Sequence, residues 1–229
     1  MNNRVPEFAR LEIKFSAYEF QAHTLLHWLN LHPACFFMPF PDRQVNNLYF
    51  DMYNYYAFAE NLSGASSRTK VRYRWYGATK DPDIGTLEIK CKRNYFGWKH
   101  RYPISKPPYK AGYSLRDIRQ ALLEQLPPDG KKWLYTSPFP IIINRYYRKY
   151  FMSSDGKIRV TMDTKQAVWD QRFKPFPNFE NQANLPLALV VEVKFGRNDR
   201  ELASQILEDI PLRVSRHSKY ISGVKAVHG

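Results

Sequence analysis

The chain has 229 residues, 44% of them hydrophobic and 24% charged, enough apolar content to bury a core and too much for a disordered chain. Thirty-five Lys and Arg against 21 Asp and Glu leave a formal charge of +14, which selects anionic partners: nucleic acid, an anionic membrane or phosphorylated small molecules. Cys35 and Cys91 form neither a CxxC metal motif nor a disulfide framework, and no apolar run approaches the roughly 20 residues of a membrane span, so a soluble cytoplasmic protein with one domain over residues 1–229 is expected.

In chain order, residues 10–16 alternate polar and apolar as a strand does, and 17–31 change to helical spacing through Phe20, Leu25, Trp28 and Leu29. Residues 45–51 read as a second strand, 53–61 as a short helical or irregular stretch, and 63–66 as a turn. Strands follow over 68–76, 86–93 and 98–104. Ser114 and Asp117 open a helix over 114–126 in capping-box positions, and Pro127-Pro128 stops it. Strands over 141–151 and 157–164 flank the hairpin turn Ser153-Ser154-Asp155-Gly156. A Pro- and Asn-rich loop over 170–186 precedes a strand over 187–195, a helix over 199–208, a short strand over 212–215 and a last helix from Ser218 onward. Eight or nine strands with interspersed helices predict an α+β fold on an antiparallel sheet or barrel.

Several of these strands carry cations at every second position. Lys70, Arg72 and Arg74 alternate with Val71, Tyr73 and Trp75; Glu88, Lys90 and Lys92 alternate with Leu87, Ile89 and Cys91; Lys99 and Arg101 follow, and Arg145, Arg148, Arg159 and Lys194 extend the set. A half-solvated antiparallel sheet alternates as well, with no ligand required. A solvated face usually mixes signs, however, because like charges opposite one another on neighbouring strands destabilise the pair. A shared cationic face therefore points to a bound polyanion such as a phosphate chain. Single acids sit within the cationic runs: Glu12 between Arg10 and Lys14, Glu88 before Lys90, Asp163 after Arg159, and Glu192 before Lys194. Such carboxylates serve either a divalent metal shared with phosphate oxygens or the neutralisation of neighbouring cations, and spacing does not separate the two. No Ser-His-Asp or Cys-His grouping is evident, and His100 and His217 read either as structural residues or as proton carriers.

The ordered series Arg10-Leu11-Glu12-Ile13-Lys14, Tyr49-Phe50-Asp51, Lys70 to Arg74, Glu88-Ile89-Lys90, Lys99-His100-Arg101, Arg145-Tyr146-Tyr147, Arg159 to Asp163, Glu192-Val193-Lys194 and Ser218-Lys219-Tyr220 resembles the VTC domain. That is the catalytic domain of the vacuolar transporter chaperone polyphosphate polymerases, within the CYTH-like triphosphate tunnel metalloenzymes. The resemblance implies a closed antiparallel β-barrel of about eight strands with covering helices, whose basic lumen takes ATP or another triphosphate, or polyphosphate, with Mn²⁺ or Mg²⁺. By position it assigns catalytic phosphate contacts to Arg72, Arg74, Lys90, Arg145, Arg159 and Lys194. It adds Lys14, Lys70, Lys99, Arg101, Arg216, Ser218 and Lys219 as further phosphate contacts, with a lysine in the family where this chain has Arg216. The metal falls to Glu192, with Glu12 and Glu88 beside it.

Many tunnel enzymes open with an ExExK strand, whereas this chain has Arg10-x-Glu12-x-Lys14. The loss of one acid favours the polymerase-like branch over triphosphatases or cyclases. The expected function is polyphosphate synthesis from ATP; the alternatives are a triphosphatase in the same tunnel and a polyphosphate- or nucleotide-binding module without chemistry. Single-stranded nucleic acid ranks below these, because alternation turns Tyr73 and Trp75 away from the face that carries Arg72 and Arg74.

Overall fold

The computed structural model describes residues 5–186 and 188–228; Leu187, expected to open a strand, lies outside the described residues. Among the described residues there are eight strands: β1 (Arg10–Tyr18), β2 (Arg43–Asp51), β3 (Ser67–Tyr76), β4 (Gly85–Arg93), β5 (Phe96–Ile104), β6 (Phe139–Met152), β7 (Arg159–Asp170) and β8 (Ala188–Phe195). They close into a barrel in the order β1-β5-β4-β3-β2-β6-β7-β8, and every neighbouring pair is antiparallel. Closure leaves no open edge. The closing seam is short, with only Arg10 opposite Gly97 and Leu11 opposite Phe96, as strand stagger in a barrel requires.

Residues opposite one another in a ladder share a face, so register decides what fills the interior. Arg72 lies opposite both Tyr49 and Glu88, Lys70 opposite Lys90, Lys90 opposite Lys99, Glu12 opposite Lys194, and Lys14 opposite Glu192. The charged set therefore points inward. The apolar set points outward, where helices cover it.

Val71, Tyr73, Trp75, Leu87 and Ile89 pack against Ile118, Leu122 and Leu134 of helices α3 (Leu115–Gln125) and α4 (Pro128–Thr136). Val160, Met162, Val191 and Val193 pack against Leu25 and Leu29 of α1 (Ala22–Leu31) and Ala203 and Ile206 of α5 (Arg200–Leu207). Each buried large aliphatic side chain contributes about 1.5–3 kcal/mol. The core is thus a shell around the barrel.

At one end, α2 (Tyr56–Ser63) and α6 (Lys219–His228) pack on Tyr49, Ile142 and Val168 and cap the barrel. Asp51, 1% exposed, ties this cap together. Its carboxylate accepts from the backbone N–H groups of Ala57 (2.9 Å) and Phe58 (3.1 Å) at the start of α2, and from the Tyr220 hydroxyl of α6 (2.5 Å). The Met52 N–H also donates to it, at 2.7 Å, so Asp51→Ala strands four donors and is expected to lower stability by about 2–4 kcal/mol, read by urea unfolding. Unchanged stability would show that water or repacking satisfies them.

Four expected elements differ. The helix expected from Ala17 begins at Ala22, because pairing of β1 with β8 continues to Tyr18 opposite Ala188 and a 3-10 turn over Glu19–Gln21 intervenes. Pro127-Pro128 ends one helix but also starts another, α4, since proline fits the first helical turn, where its missing N–H costs nothing. The strand over 212–215 is a single bridge between Val214 and Phe15. β7 runs past Thr164 to Asp170 through an irregularity opposite Arg145 and Tyr147, with Lys165 at φ 50°. The Ser114 and Asp117 capping box is formed as expected, with Ser114 Oγ accepting from Asp117 N at 3.1 Å.

Candidate active site

The barrel interior is a cationic lumen. Nine cations line it: Lys14 from β1, Lys70, Arg72 and Arg74 from β3, Lys90 from β4, Lys99 from β5, Arg148 from β6, Lys194 from β8 and Lys219 from the first turn of α6. Four carboxylates, Glu12, Glu88, Asp163 and Glu192, pair with them, which leaves a formal excess of five positive charges.

Each acid is held by more than one cation. The Arg72 Nε and Nη2 donate to Glu88 at 2.9 and 2.5 Å, and Lys99 donates to the same carboxylate at 3.0 Å. Arg74 and Arg101 stand 3.6 Å from Glu88. Burial pushes the Glu88 carboxyl up, but Arg74, Arg72 and Lys99 outweigh burial and hold it well below the ordinary carboxylate range. Asp163 accepts from Arg148 at 2.6 Å and pairs with Lys219 at 2.5 Å. Against burial, Arg148 and Lys219 keep it ionised.

Glu12 and Glu192 form a second arrangement, on neighbouring strands. Lys14 bridges them at 3.1 and 3.2 Å, Lys194 lies 3.4 Å from Glu12 and also bonds Glu192, and Lys90 reaches Glu12 at 3.3 Å. Both carboxyls lie well below the ordinary range, with burial opposed by Lys14 and Lys90 at Glu12 and by Lys194 and Lys14 at Glu192. Among the described residues no group of three or more His, Cys, Asp or Glu side chains gathers as a ready metal cage.

Three lysines have less compensation. Lys70 donates to Ser218 Oγ at 3.0 Å, and burial together with Lys90 and Lys14 pushes its ammonium well below the usual lysine value. Burial and the cations Arg72 and Arg74 do the same at Lys99, and burial brings Lys90 down to about 8. A polyanion in the lumen favours the charged form of all three, so its binding is expected to take up protons around pH 8, where Lys90 titrates. Titration calorimetry with ATP, whose phosphates are fully ionised at pH 8.5, in two buffers of different ionisation enthalpy, is expected to give different apparent enthalpies, and affinity is expected to fall as pH rises through 8. Equal enthalpies would contradict this. In the free protein the sign is opposite: unfolded Lys90 binds more protons than native Lys90 between about 8 and 10.5, so its contribution to stability rises with pH there.

The remaining expected site residues lie as follows. Ser218 lines the lumen. Arg159 shares the inward face of β7 with Thr161 and Asp163, opposite Lys194, and its buried Nε has no partner. Arg101 is at a mouth of the lumen, its side chain 64% exposed. Arg216 is exposed beside Lys92. Arg145 is not in the lumen: its guanidinium donates to Asn46 at 2.9 Å and stacks over Trp169 at 5.5 Å on the outer face. The inward set of β6 is Asn144, Tyr146 and Arg148, and Arg148 occupies the place expected for Arg145.

Tyr49 and Tyr146 also line the lumen; the Arg72 Nη1 donates to the first at 3.1 Å and the Arg74 Nη2 to the second at 2.9 Å. The signal for Tyr146 and Arg148 was their two-residue spacing. His100 is exposed on β5, opposite Ile89. His217 adjoins the lumen through its carbonyl, which accepts from Lys14 at 2.9 Å; burial, Lys219 and Lys14 bring its imidazole down to about 3, so it is neutral.

No helix among the described residues is long and apolar enough to cross a membrane. No curated protein matches the chain by sequence. Among solved structures, the chain is similar to a "putative adenylate cyclase" from Vibrio parahaemolyticus, at 13% identity and a TM-score of 0.53, with 92% of this chain and 97% of that one covered. The Mediator head module of Schizosaccharomyces pombe is matched at 7% identity and a TM-score of 0.49, over 90% of this chain and 98% of that one. The family model of the VTC domain matches residues 9–228, nearly the whole chain. With a closed eight-stranded barrel around a cationic lumen, the chain belongs to the VTC domain family.

Proposed function

We propose that the protein is a metal-dependent phosphotransferase that holds ATP by its triphosphate in the lumen and passes the terminal phosphoryl group to phosphate or to a growing polyphosphate. The observation that carries this reading is the excess of cations in an enclosed lumen, where Lys70 has a serine hydroxyl and no carboxylate as its hydrogen-bond partner. Phosphoryl transfer asks the protein mainly for charge neutralisation and in-line placement, and a tunnel wall of Arg and Lys supplies both.

In this reading Arg72, Arg74, Lys90, Arg148 and Lys194 hold phosphate oxygens, with Lys14, Lys70, Ser218 and Lys219 toward the capped end and Arg101 and Arg159 toward the open one. Glu88 and Asp163 serve as organisers, since each is fully engaged in fixing arginine and lysine geometry. Glu12 and Glu192 fit a divalent ion, because Mn²⁺ or Mg²⁺ takes one or two carboxylates and completes its shell with phosphate oxygens and water. When bound there, the ion supplies charge that offsets the developing negative charge on the transferred group. Lys14 and Lys194, which neutralise these carboxylates, are then free to turn to phosphate.

The test is incubation of the purified protein with ATP and Mn²⁺. ADP together with polyphosphate is expected; phosphate without polymer would make the protein a triphosphatase, and tight binding without turnover a binding module.

A further inference from the structure

We infer that Phe40, Arg43, Tyr76 and Tyr150, at the end of the barrel away from α6, form a stacking platform for the base of a nucleoside triphosphate. The inference rests on the triphosphate reading of the lumen and adds to it the group that tells a nucleotide from a bare phosphate chain.

Register puts Arg43, Tyr76 and Tyr150 on the inward face, one step beyond the phosphate-binding cations, and Phe40, in the segment before β2, packs onto them. Arg43 lies opposite Arg148, and Tyr76 opposite Val45, two positions along β3 from Arg74. The Arg43 guanidinium carbon lies 5.3 Å from the ring centroid of Phe40, 4.8 Å from Tyr76 and 4.9 Å from Tyr150, and Phe40 meets Tyr150 edge-on at 5.6 Å. Three rings around one cation are an arrangement that also accepts a flat heterocycle.

Arg43 is held by these rings and not by an acid. Its Nε is buried without a hydrogen-bond partner, and the adjacent carboxylate of Asp42 pairs with Lys149 instead. Phe40 and Tyr76 are 46% and 42% exposed. Exposed rings at the rim of a cationic lumen do nothing for a phosphate chain, which offers no apolar face. A base does, and base–aromatic stacking depends little on base identity.

Depth supports the same ligand. The Arg148 guanidinium lies 5.8 Å from the Tyr150 ring and itself lines the lumen, so a base on the platform delivers its phosphates directly to Arg148 and Arg74. The nucleotide then enters with its terminal phosphate first, pointing toward Glu12, Glu192 and the capped end. The competing use of the rings is as a clip that fastens the segment before β2, where Phe37 bridges to Met152, onto the barrel. A clip affects stability and does not discriminate between ligands.

The experiment compares ATP with inorganic tripolyphosphate by calorimetry in the wild type, in a Phe40→Ala/Tyr76→Ala double variant, and in a Phe40→Leu/Tyr76→Leu variant that keeps apolar bulk without a π face. ATP affinity is expected to fall at least about fivefold in both variants while tripolyphosphate affinity stays within about twofold. The fluorescence of 2-aminopurine riboside triphosphate is expected to be quenched on binding the wild type and not the variants. Equal weakening of both ligands, or no change in either, overturns the platform and leaves the lumen reading intact. Failure of the wild type to bind tripolyphosphate overturns the lumen reading, and the platform with it.

Discussion

Glu192→Gln is expected to reduce metal-dependent turnover by about 100-fold or more while leaving polyphosphate binding undiminished. The two effects part because, in the proposed function, Glu192 has two uses. Toward the protein it partly cancels Lys14, Lys194 and Arg148. Toward a divalent ion it offers, with Glu12, one of two carboxylates that neighbouring strands bring to a common lysine. The amide cannot replace a carboxylate as a charged ligand, so transition-state charge goes unanswered, and losses of that kind cost about 10² to 10³ in rate. Yet removing the negative charge makes the lumen more cationic, so a phosphate chain binds at least as well without metal. Turnover equal to wild type would remove Glu192 from the mechanism, and loss of polyphosphate binding would show that it organises the phosphate site instead.

The second large effect is expected at Arg72. Arg72→Ala should weaken tripolyphosphate binding about 10- to 150-fold, the equivalent of one charge-assisted contact of about 1.5–3 kcal/mol. Two consequences of the substitution act in the same direction. A guanidinium that lines the lumen is lost, and Glu88 loses its two-pronged partner, which leaves its negative charge less screened by Arg74 and Lys99. Arg72→Lys restores the charge but not the fork, because a single ammonium cannot bond Glu88 twice and also reach Tyr49. It should therefore recover part of the affinity. Calorimetry with a circular-dichroism check of folding measures this, and wild-type affinity in Arg72→Ala would contradict the assignment.

Much of the fold was legible because a strand with one charged and one apolar face is readable two residues at a time. Residues 70–75 and 87–92 follow that rule without exception, and their inward and outward sets are those the alternation implied. β6 breaks the rule. Ile141, Ile142 and Ile143 are apolar on both faces because α6 plugs the barrel at that end, and Arg145 and Arg148 place cations on both faces farther along. With no clean alternation the sequence offers nothing that separates Arg145 from Arg148, so the assignment of Arg145 that the resemblance implied by position stood uncorrected where Arg148 lines the lumen. Closure was legible only through the family resemblance, because no local pattern marks the two residue pairs that join β5 to β1. Arg43, set among aromatic residues that arrive from three separate segments, has no local pattern at all.

A crystal structure of the protein with tripolyphosphate and Mn²⁺ tests the central claim most directly. Phosphate oxygens are expected within hydrogen-bond distance of Arg72, Lys90, Arg148 and Lys194, inside the barrel, with the ion between Glu12, Glu192 and the phosphate chain. Phosphates bound only on the outer surface, with the lumen lysines still paired to their carboxylates, would contradict the account.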